Sequence, residues 1–302
     1  MNKEKIVIVG FGWVGQANAL ALVKMGYPVF YYDIAQKIEP LYQGYVVEYA
    51  RIKRLGAVSD EDGENACYVV CVKDGLTEDN SQDISALTRA VGSLANLSGK
   101  VVLRSTVLPQ HLKTLRFDYY VPEFLHEKYA IEECLTPPHF VIGGKGFENM
   151  PTFLGEWESR AKKSFRGAPE EAAHIKYLSN IWNALRIAFV NEFGNVVYAT
   201  TGRKESVDKV IDFLFEKKEY LRYGKAYGGH CLPKDVAAFT KTHGTGLHKD
   251  VVAFAKAHGI EGGIAPILHA IHQSNELHKS LQDHEKFPEW FSKWSDIDIH
   301  EV

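Results

Sequence analysis

Ile6 to Val9 is a short apolar run that stops at Gly10-Phe11-Gly12-Trp13-Val14-Gly15, a G-x-G-x-x-G pattern. The run reads as a buried parallel strand. Trp13 to Met25 then shows helical spacing and ends at Gly26, which suits a C-terminal cap. A strand, a glycine turn and a helix in this order form a cradle for a dinucleotide. The first glycine makes the tight turn, the second admits a pyrophosphate, and the third lets helix and strand pack closely. The helix N-terminus favours the phosphates. Gly10, Gly12, Trp13, Val14 and Gly15 are therefore the expected cofactor contacts. The second strand, Pro28 to Tyr32, ends at Asp33, 18 residues after Gly15. A carboxylate there would accept hydrogen bonds from ribose hydroxyls. It repels a 2′-phosphate and no arginine follows it, so NAD is favoured over NADP.

Further strands are expected at Tyr68–Val72, Val101–Arg104, Asp118–Val121 and Phe140–Ile142, with helical stretches such as Ile84–Leu97 between them. Alternating strand and helix implies a Rossmann-type, doubly wound parallel sheet. The pattern changes near Ser164. Pro169-Glu170-Glu171 resembles a helix start, with proline in the first turn and acids at the positive end of the dipole. No breaker intervenes until about Thr200, so one long helix is expected, apolar on most sides from Ile181 to Phe193 and therefore buried. Helices follow at about Glu205–Lys217, Val236–Thr242, Lys249–His258 and Ile264–Leu281. The fold expected is α/β: a nucleotide-binding domain over residues 1–165, then an all-helical domain over 166–302 built on one long central helix.

The 302 residues exceed one compact core, in keeping with two domains. A net charge of -3 gives no pointer to nucleic acid or an anionic membrane. The longest apolar runs are too short or too interrupted to span a bilayer. The N-terminus enters a strand at once, leaving no room for a signal peptide. Four cysteines are too few for a disulfide scaffold, so a reducing cytoplasm is the expected setting.

Several residues carry chemistry. Tyr227-Gly228-Gly229-His230-Cys231-Leu232-Pro233-Lys234-Asp235 places a cysteine among paired glycines, a lysine and an aspartate. Glycines let backbone approach a bound molecule, and a thiol near a lysine ionises more easily and can serve as a nucleophile. The alternative is a small buried apolar cysteine, which a loop between Gly-Gly and Pro suits poorly. Lys176 and Asn180 stand four apart on the long helix and share a face. They read either as donors to a developing oxyanion or as a satisfied polar cluster. Glu123 and Glu127 follow the strand at 118–121, at the carboxyl end where ligands bind such sheets. One could act as general base for water, or both could be solvated loop acids. Ser105 and Thr106 follow the strand at 101–104 and could bind cofactor, place a water, or merely cap the strand. Cys67 and Cys71 read as core, and Cys134 as a loop residue. No cysteine spacing matches a zinc site. His269, His272 and His278 read as solvated histidines rather than metal ligands.

Together these motifs resemble the UDP-glucose/GDP-mannose dehydrogenase family. The matching pieces run in order: Gly10–Gly15 with Asp33, Ser105-Thr106-Val107, Pro122-Glu123-Phe124-Leu125 with Glu127, Glu171 through Lys176 to Asn180, Asn191-Glu192, the 228–235 motif, and Asn275-Glu276. The resemblance implies an NAD-dependent 6-dehydrogenase that oxidises the primary alcohol of a nucleotide sugar to an acid in two hydride transfers. Cys231 would hold a thiohemiacetal and then a thioester. Lys176 and Asn180 would steady the oxyanion. Glu127, Glu123 and Asp235 would handle protons and water, with Thr106 placing the water. Ser105 and Lys234 would contact the cofactor, and Tyr227, Gly228 and Gly229 the substrate. The resemblance also implies a homodimer paired through the long helix.

The chain departs from the family pattern in places. Members normally carry a third, C-terminal domain for the nucleotide part of the substrate, and this chain ends at Val302. The stretch between Asp33 and Tyr68 is short. Lys73-Asp74-Gly75 and Leu108-Pro109-Gln110 replace the usual turns, and His126 and His139 stand where arginines are usual. The tail carries Phe287, Trp290, Phe291 and Trp294, enough aromatic surface to pack on something. Two other readings share the two-domain plan. A two-electron hydroxy-acid dehydrogenase would not need Cys231, and a non-catalytic relative would bind NAD or a sugar nucleotide without turnover.

Overall fold

The computed structural model describes residues 3–215, 221, 224, 226–228, 231–244 and 266–281. The expected helix at 249–258, the aromatic tail, Gly229 and His230 lie outside these residues.

Eight strands form one sheet in the spatial order Ser164–Gly167, Phe140–Gly144, Tyr119–Tyr120, Lys100–Leu103, Ala66–Val70, Lys5–Val9, Val29–Tyr32, Lys53–Arg54. Neighbours pair in parallel except Tyr119–Tyr120, which runs antiparallel to Phe140–Gly144. Successive side chains of a strand point to opposite faces, and the two faces are both apolar. Ile6 and Ile8 pack with Leu22, Phe153 and Trp157 on one side. Val7 and Val9 pack with Tyr68, Leu87 and Leu103 on the other. A sheet buried on both faces is the doubly wound arrangement expected of parallel strands joined by helices.

The expected strand at 68–72 lies two residues earlier, at Ala66–Val70. Its register on the first strand, Lys5 opposite Ala66 and Val9 opposite Val70, ends both strands at the level of Gly10. Two edge strands, Lys53–Arg54 and Ser164–Gly167, carry few apolar residues and so leave little sequence signal. Cys134 lies buried in a helix, Ala130–Leu135, against Ala17, Leu20 and Ala21, rather than in a loop.

The chain divides into two compact units, Met1–Gly75 with Gln82–Lys176 and Leu76–Ser81 with Tyr177–Val302. Within the first, Ala172 and Ala173 of the long helix pack into the sheet's core. That helix runs Pro169–Thr201, and its start holds the expected acids Glu170 and Glu171.

The second unit contains the rest of the long helix and the helices Lys204–Phe215, Cys231–Gly244 and Pro266–Leu281. Its core gathers Ala184, Ile187, Val190, Ile211, Tyr227 and Val236. The stretch 181–193, expected to be buried from its apolar composition, is buried on one side only. Trp182, Phe189 and Phe193 are 54%, 53% and 46% exposed, in line with Leu178 and Val196. These positions are spaced three, four or seven residues apart and form one face, opposite the side of Ala184, Ile187 and Ala188 that packs into the unit's core.

The helix expected from Val236 begins at Cys231. Pro233 sits in its first turn, where a missing N–H costs nothing and the fixed φ suits a helix. His278 is buried rather than solvated. Its Nδ1 lies 2.7 Å from the Ser274 carbonyl and its Nε2 3.2 Å from Asn195 Nδ2. Among the described residues no three His, Cys, Asp or Glu side chains gather as a metal group, and no helix is long and apolar enough to cross a membrane.

Candidate active site

The glycine turn is built by backbone sterics. Gly10 takes φ +90° and donates its N–H to the Tyr32 carbonyl at 3.0 Å. A Cβ at Gly15 would stand 2.1 Å from the Gly10 oxygen, so only glycine lets the helix start so close to the turn. A Cβ at Gly12 would meet nothing within 4 Å, leaving open space beside the helix start. Asp33 holds this turn in place: Oδ2 accepts from the Phe11 N–H at 2.7 Å and Oδ1 from the Ala35 N–H at 2.8 Å. Each oxygen keeps a lone pair for a ribose hydroxyl. Open backbone, helix N-terminus and ionisable carboxylate fit a dinucleotide. Trp13 is exposed at the same turn, edge-on to Tyr42, and Val14 is half-buried.

An arginine does reach this loop, from the edge strand. Arg54 donates to the carbonyls of Ala35, at 2.6 Å, and of Gln36. Its donors are engaged on backbone, so it shapes the loop rather than offering a bare cation. Gln16 is a second residue that sequence reasoning misses. Its Nε2 donates to Phe11 and Glu39 carbonyls at 3.0 and 3.1 Å, and its Oε1 accepts from the Leu41 N–H at 2.9 Å and the Tyr49 hydroxyl at 2.5 Å. A buried glutamine in a run of alanine and leucine is the only sequence signal for that clasp.

At the carboxyl end of Lys100–Leu103, the Ser105 hydroxyl donates to the Val72 carbonyl at 2.6 Å. That bond ties two strand ends together, as a strand cap does. Thr106 is buried, and its carbonyl accepts from Gln82 Nε2 at 3.0 Å.

Lys176 meets Glu123 in the first unit, with Nζ 3.5 Å from Oε1 and both side chains buried. The other carboxylate oxygen accepts the Leu125 N–H at 2.8 Å. Burial pushes the Glu123 carboxyl up, but the Lys176 charge, the Leu125 N–H and the nearby Arg104 outweigh it, so the group sits below the usual glutamate range. Glu123 is therefore a fixed anion that orients the lysine, not a solvated loop acid. Lys176 Nζ also lies 5.2 Å from the Phe124 ring centroid. Glu127 begins a single turn of 3-10 helix, Glu127–Tyr129.

The second unit assembles another constellation. Asn180 donates through Nδ2 to Asp235 Oδ2 at 2.5 Å, and Lys234 Nζ donates to Asp235 Oδ1 at 2.8 Å. Asp235 and Asn180 are both buried. Cys231 stands four residues earlier on the same helix face, exposed at the first helical position and in no disulfide. The other cysteines contrast with it: burial pushes the thiols of Cys71 and Cys134 up to about 12, and that of Cys67 well above its usual value. Those three stay protonated. Gly228 is half-buried, whereas Tyr227 is enclosed in the helical core, only 1% exposed, with its N–H bonded to Asn275, so the expected substrate contact at Tyr227 is not available on its surface.

Sequence and fold are similar to those of known proteins. The chain is 30% identical over 276 residues to a GDP-mannose 6-dehydrogenase of Pseudomonas putida, covering 78% of this chain and 63% of that protein. It is 30% identical over 261 residues to a UDP-glucose 6-dehydrogenase of Campylobacter jejuni, covering 77% of this chain and 66% of that protein. The chain thus spans less than two thirds of the length of these relatives. The fold matches that of a UDP-glucose dehydrogenase from Pyrobaculum islandicum with a TM-score of 0.70 at 22% identity, over 91% of this chain and 68% of that one. Residues 4–154 match the NAD binding domain of the UDP-glucose/GDP-mannose dehydrogenase family, and residues 170–252 its central domain. With both domains matched in order, the chain belongs to the UDP-glucose/GDP-mannose dehydrogenase family.

Proposed function

We propose that this chain is an NAD-dependent nucleotide-sugar 6-dehydrogenase that oxidises a primary alcohol to a carboxylate. The observation that carries this reading is the exposed Cys231 thiol at a helix start, one turn before an Asp235 held by Asn180 and Lys234. A simple two-electron dehydrogenase needs no such thiol.

NAD, bound at the Gly10–Gly15 turn, supplies a hydride acceptor in each of the two oxidations. The chain's own residues do the rest. The alcohol first loses its hydroxyl proton to a base and its C6 hydride, leaving an aldehyde. The Cys231 sulfur adds to the carbonyl carbon and the oxygen takes a proton, giving a thiohemiacetal. The positive end of the helix dipole favours an anionic nucleophile at this position. Loss of a second hydride and the hydroxyl proton gives a thioester. Water then attacks, the C–S bond breaks, and the thiolate leaves with the acid formed. Overall, alcohol, two NAD and water give acid, two NADH and protons.

Lys176 serves as the cationic donor to the oxyanion, oriented by Glu123. The Asn180 amide, with one hydrogen donated to Asp235, keeps its second for a substrate oxygen. Asp235 and Glu127 are assigned to proton transfer, Thr106 to placing the water, and Ser105 to the cofactor side. Lys234 balances the charge of Asp235 and contacts the bound sugar nucleotide or cofactor. Gly228 and Gly229 admit the substrate, and the buried Tyr227 supports Gly228 from the core. The exposed face of Leu178, Trp182, Phe189 and Phe193 supports a homodimer paired through the long helix. A cytoplasmic setting, which keeps thiols reduced, suits the chemistry, and the acid product suits polysaccharide synthesis. The test is a panel of sugar nucleotides assayed for NADH and acid together. Acid formation by the wild type and none by Cys231→Ser supports the reading; acid formed equally by both overturns it.

A further inference from the structure

Two buried asparagines are not used by this chemistry. Asn191 lies on the long helix and Asn275 on the helix Pro266–Leu281, and they are 1% and 3% exposed. Burying an amide is costly unless it is hydrogen-bonded. Both amides are bonded to the same short stretch of main chain. Asn191 Oδ1 accepts the Gly224 N–H at 2.8 Å. Asn275 Oδ1 accepts the Tyr227 N–H at 2.8 Å. The bonds bridge 33 and 48 residues of sequence. Non-helical backbone in a helical unit has no ladder to satisfy its N–H groups, so side-chain acceptors must do so. Gly224 takes φ +82°, which a glycine adopts without strain and which marks a turn in this stretch. The Tyr227 ring adds a third anchor, packed beside Val190, Leu232 and Ile271. Its hydroxyl has no partner among the described residues, so the ring serves by packing alone.

We propose that Asn191 and Asn275 are positioning residues that fasten the main chain leading into Cys231. They come from two different helices and grip the chain at two points, which fixes both its location and its direction. Only three residues separate Tyr227 from Cys231, so the anchor lies close to the thiol in sequence. A misplacement of about 1 Å at a reacting group can cost about a hundredfold in rate. The role rests on the assignment of Cys231 as nucleophile.

The test uses the full chain and three readouts. In the wild type, the amides of Gly224 and Tyr227 exchange with deuterium as slowly as those of the helix Cys231–Gly244; exchange at the rate of an unprotected peptide overturns the clamp. Asn275→Leu fills the space but removes the acceptor. It lowers kcat by about a hundredfold with little change in KM, and it slows alkylation of Cys231 by iodoacetamide, while the buried Cys67 and Cys134 stay unlabelled as internal controls. Asn275→Asp keeps an acceptor and recovers most of both. Wild-type kcat and alkylation in Asn275→Leu, or equal losses in Asn275→Asp, overturn the proposal. Should Asn275→Leu fail to fold, the exchange measurement and Asn275→Asp still decide it. Exchange and alkylation need no turnover, so an absence of dehydrogenase activity would count against the proposed function and leave the clamp intact.

Discussion

The glycine turn and the cysteine helix both prepare the chain for a ligand, by opposite means. At the turn, shape is set by what is missing: Gly15 has no Cβ to strike the Gly10 oxygen, and Gly12 leaves open space. Everything needed lies within a few residues, plus Asp33. Around Cys231, position is set by what is present: side chains far apart in sequence bond to one another and to backbone. Asn180 reaches Asp235 across 55 residues, and Asn275 reaches Tyr227 across 48. A nucleotide site built from backbone tolerates few substitutions of any kind. A chemical site built from side chains fails at particular atoms.

The largest test of this contrast is Cys231→Ser. It should lower acid formation on the order of a thousandfold or more, while calorimetric NAD binding is unchanged. Loss of both together would deny that the two sites are built separately.

Glu123→Gln comes next. It strands the buried Lys176 without its anion, and breaking such a pair costs about 3–5 kcal/mol, read by urea unfolding. The pH sign follows from the depressed Glu123 pKa. Its stabilising contribution is complete above the ordinary value of 4.5 and is lost as pH falls through the lower folded value. Wild type and variant should therefore converge in stability in acid. Equal pH slopes would remove the ion pair from the account.

Within the turn, Gly15→Ala and Gly12→Ala should separate. The first introduces an overlap with the Gly10 oxygen and destabilises the fold by about 1–3 kcal/mol. The second leaves the melting temperature alone and weakens NAD binding, because its methyl projects into space a pyrophosphate would use. Identical effects in both assays would show that the glycines do not divide the work.

The smallest effect is expected at His126→Ala. His126 Nδ1 lies 2.7 Å from Glu133 Oε1, and that bond raises its pKa against the opposing effect of burial. The contribution is full below 6.5 and disappears as pH rises through the folded value. Because the His126 side chain is 48% exposed, solvent screens the pair and it is worth less than about 1 kcal/mol, so chemical unfolding at pH 5 and pH 9 should barely differ between the two proteins.

What was legible in the sequence follows the same division. The turn, its strands and Asp33 are local, and backbone sterics leave a direct mark on residue type. The Lys176, Asn180, Cys231 and Asp235 positions could be singled out by type and spacing, but their partners could not. Spacing suggests that Lys176 and Asn180 act as a pair, whereas each bonds first to its own carboxylate, Glu123 and Asp235. Arg54 arrives from an edge strand too polar to announce itself. Pro233 looks like a helix breaker until it is seen in the first turn. The apolar run at 181–193 reads as wholly buried because composition cannot say which faces find a neighbour.

The central claim is that Cys231 retains the sugar between two oxidations, and reaction stoichiometry tests it most directly. Following NADH and acid in one vessel should give two NADH for every acid formed, with no aldehyde released. One NADH per substrate, or an aldehyde free in solution, would contradict the account.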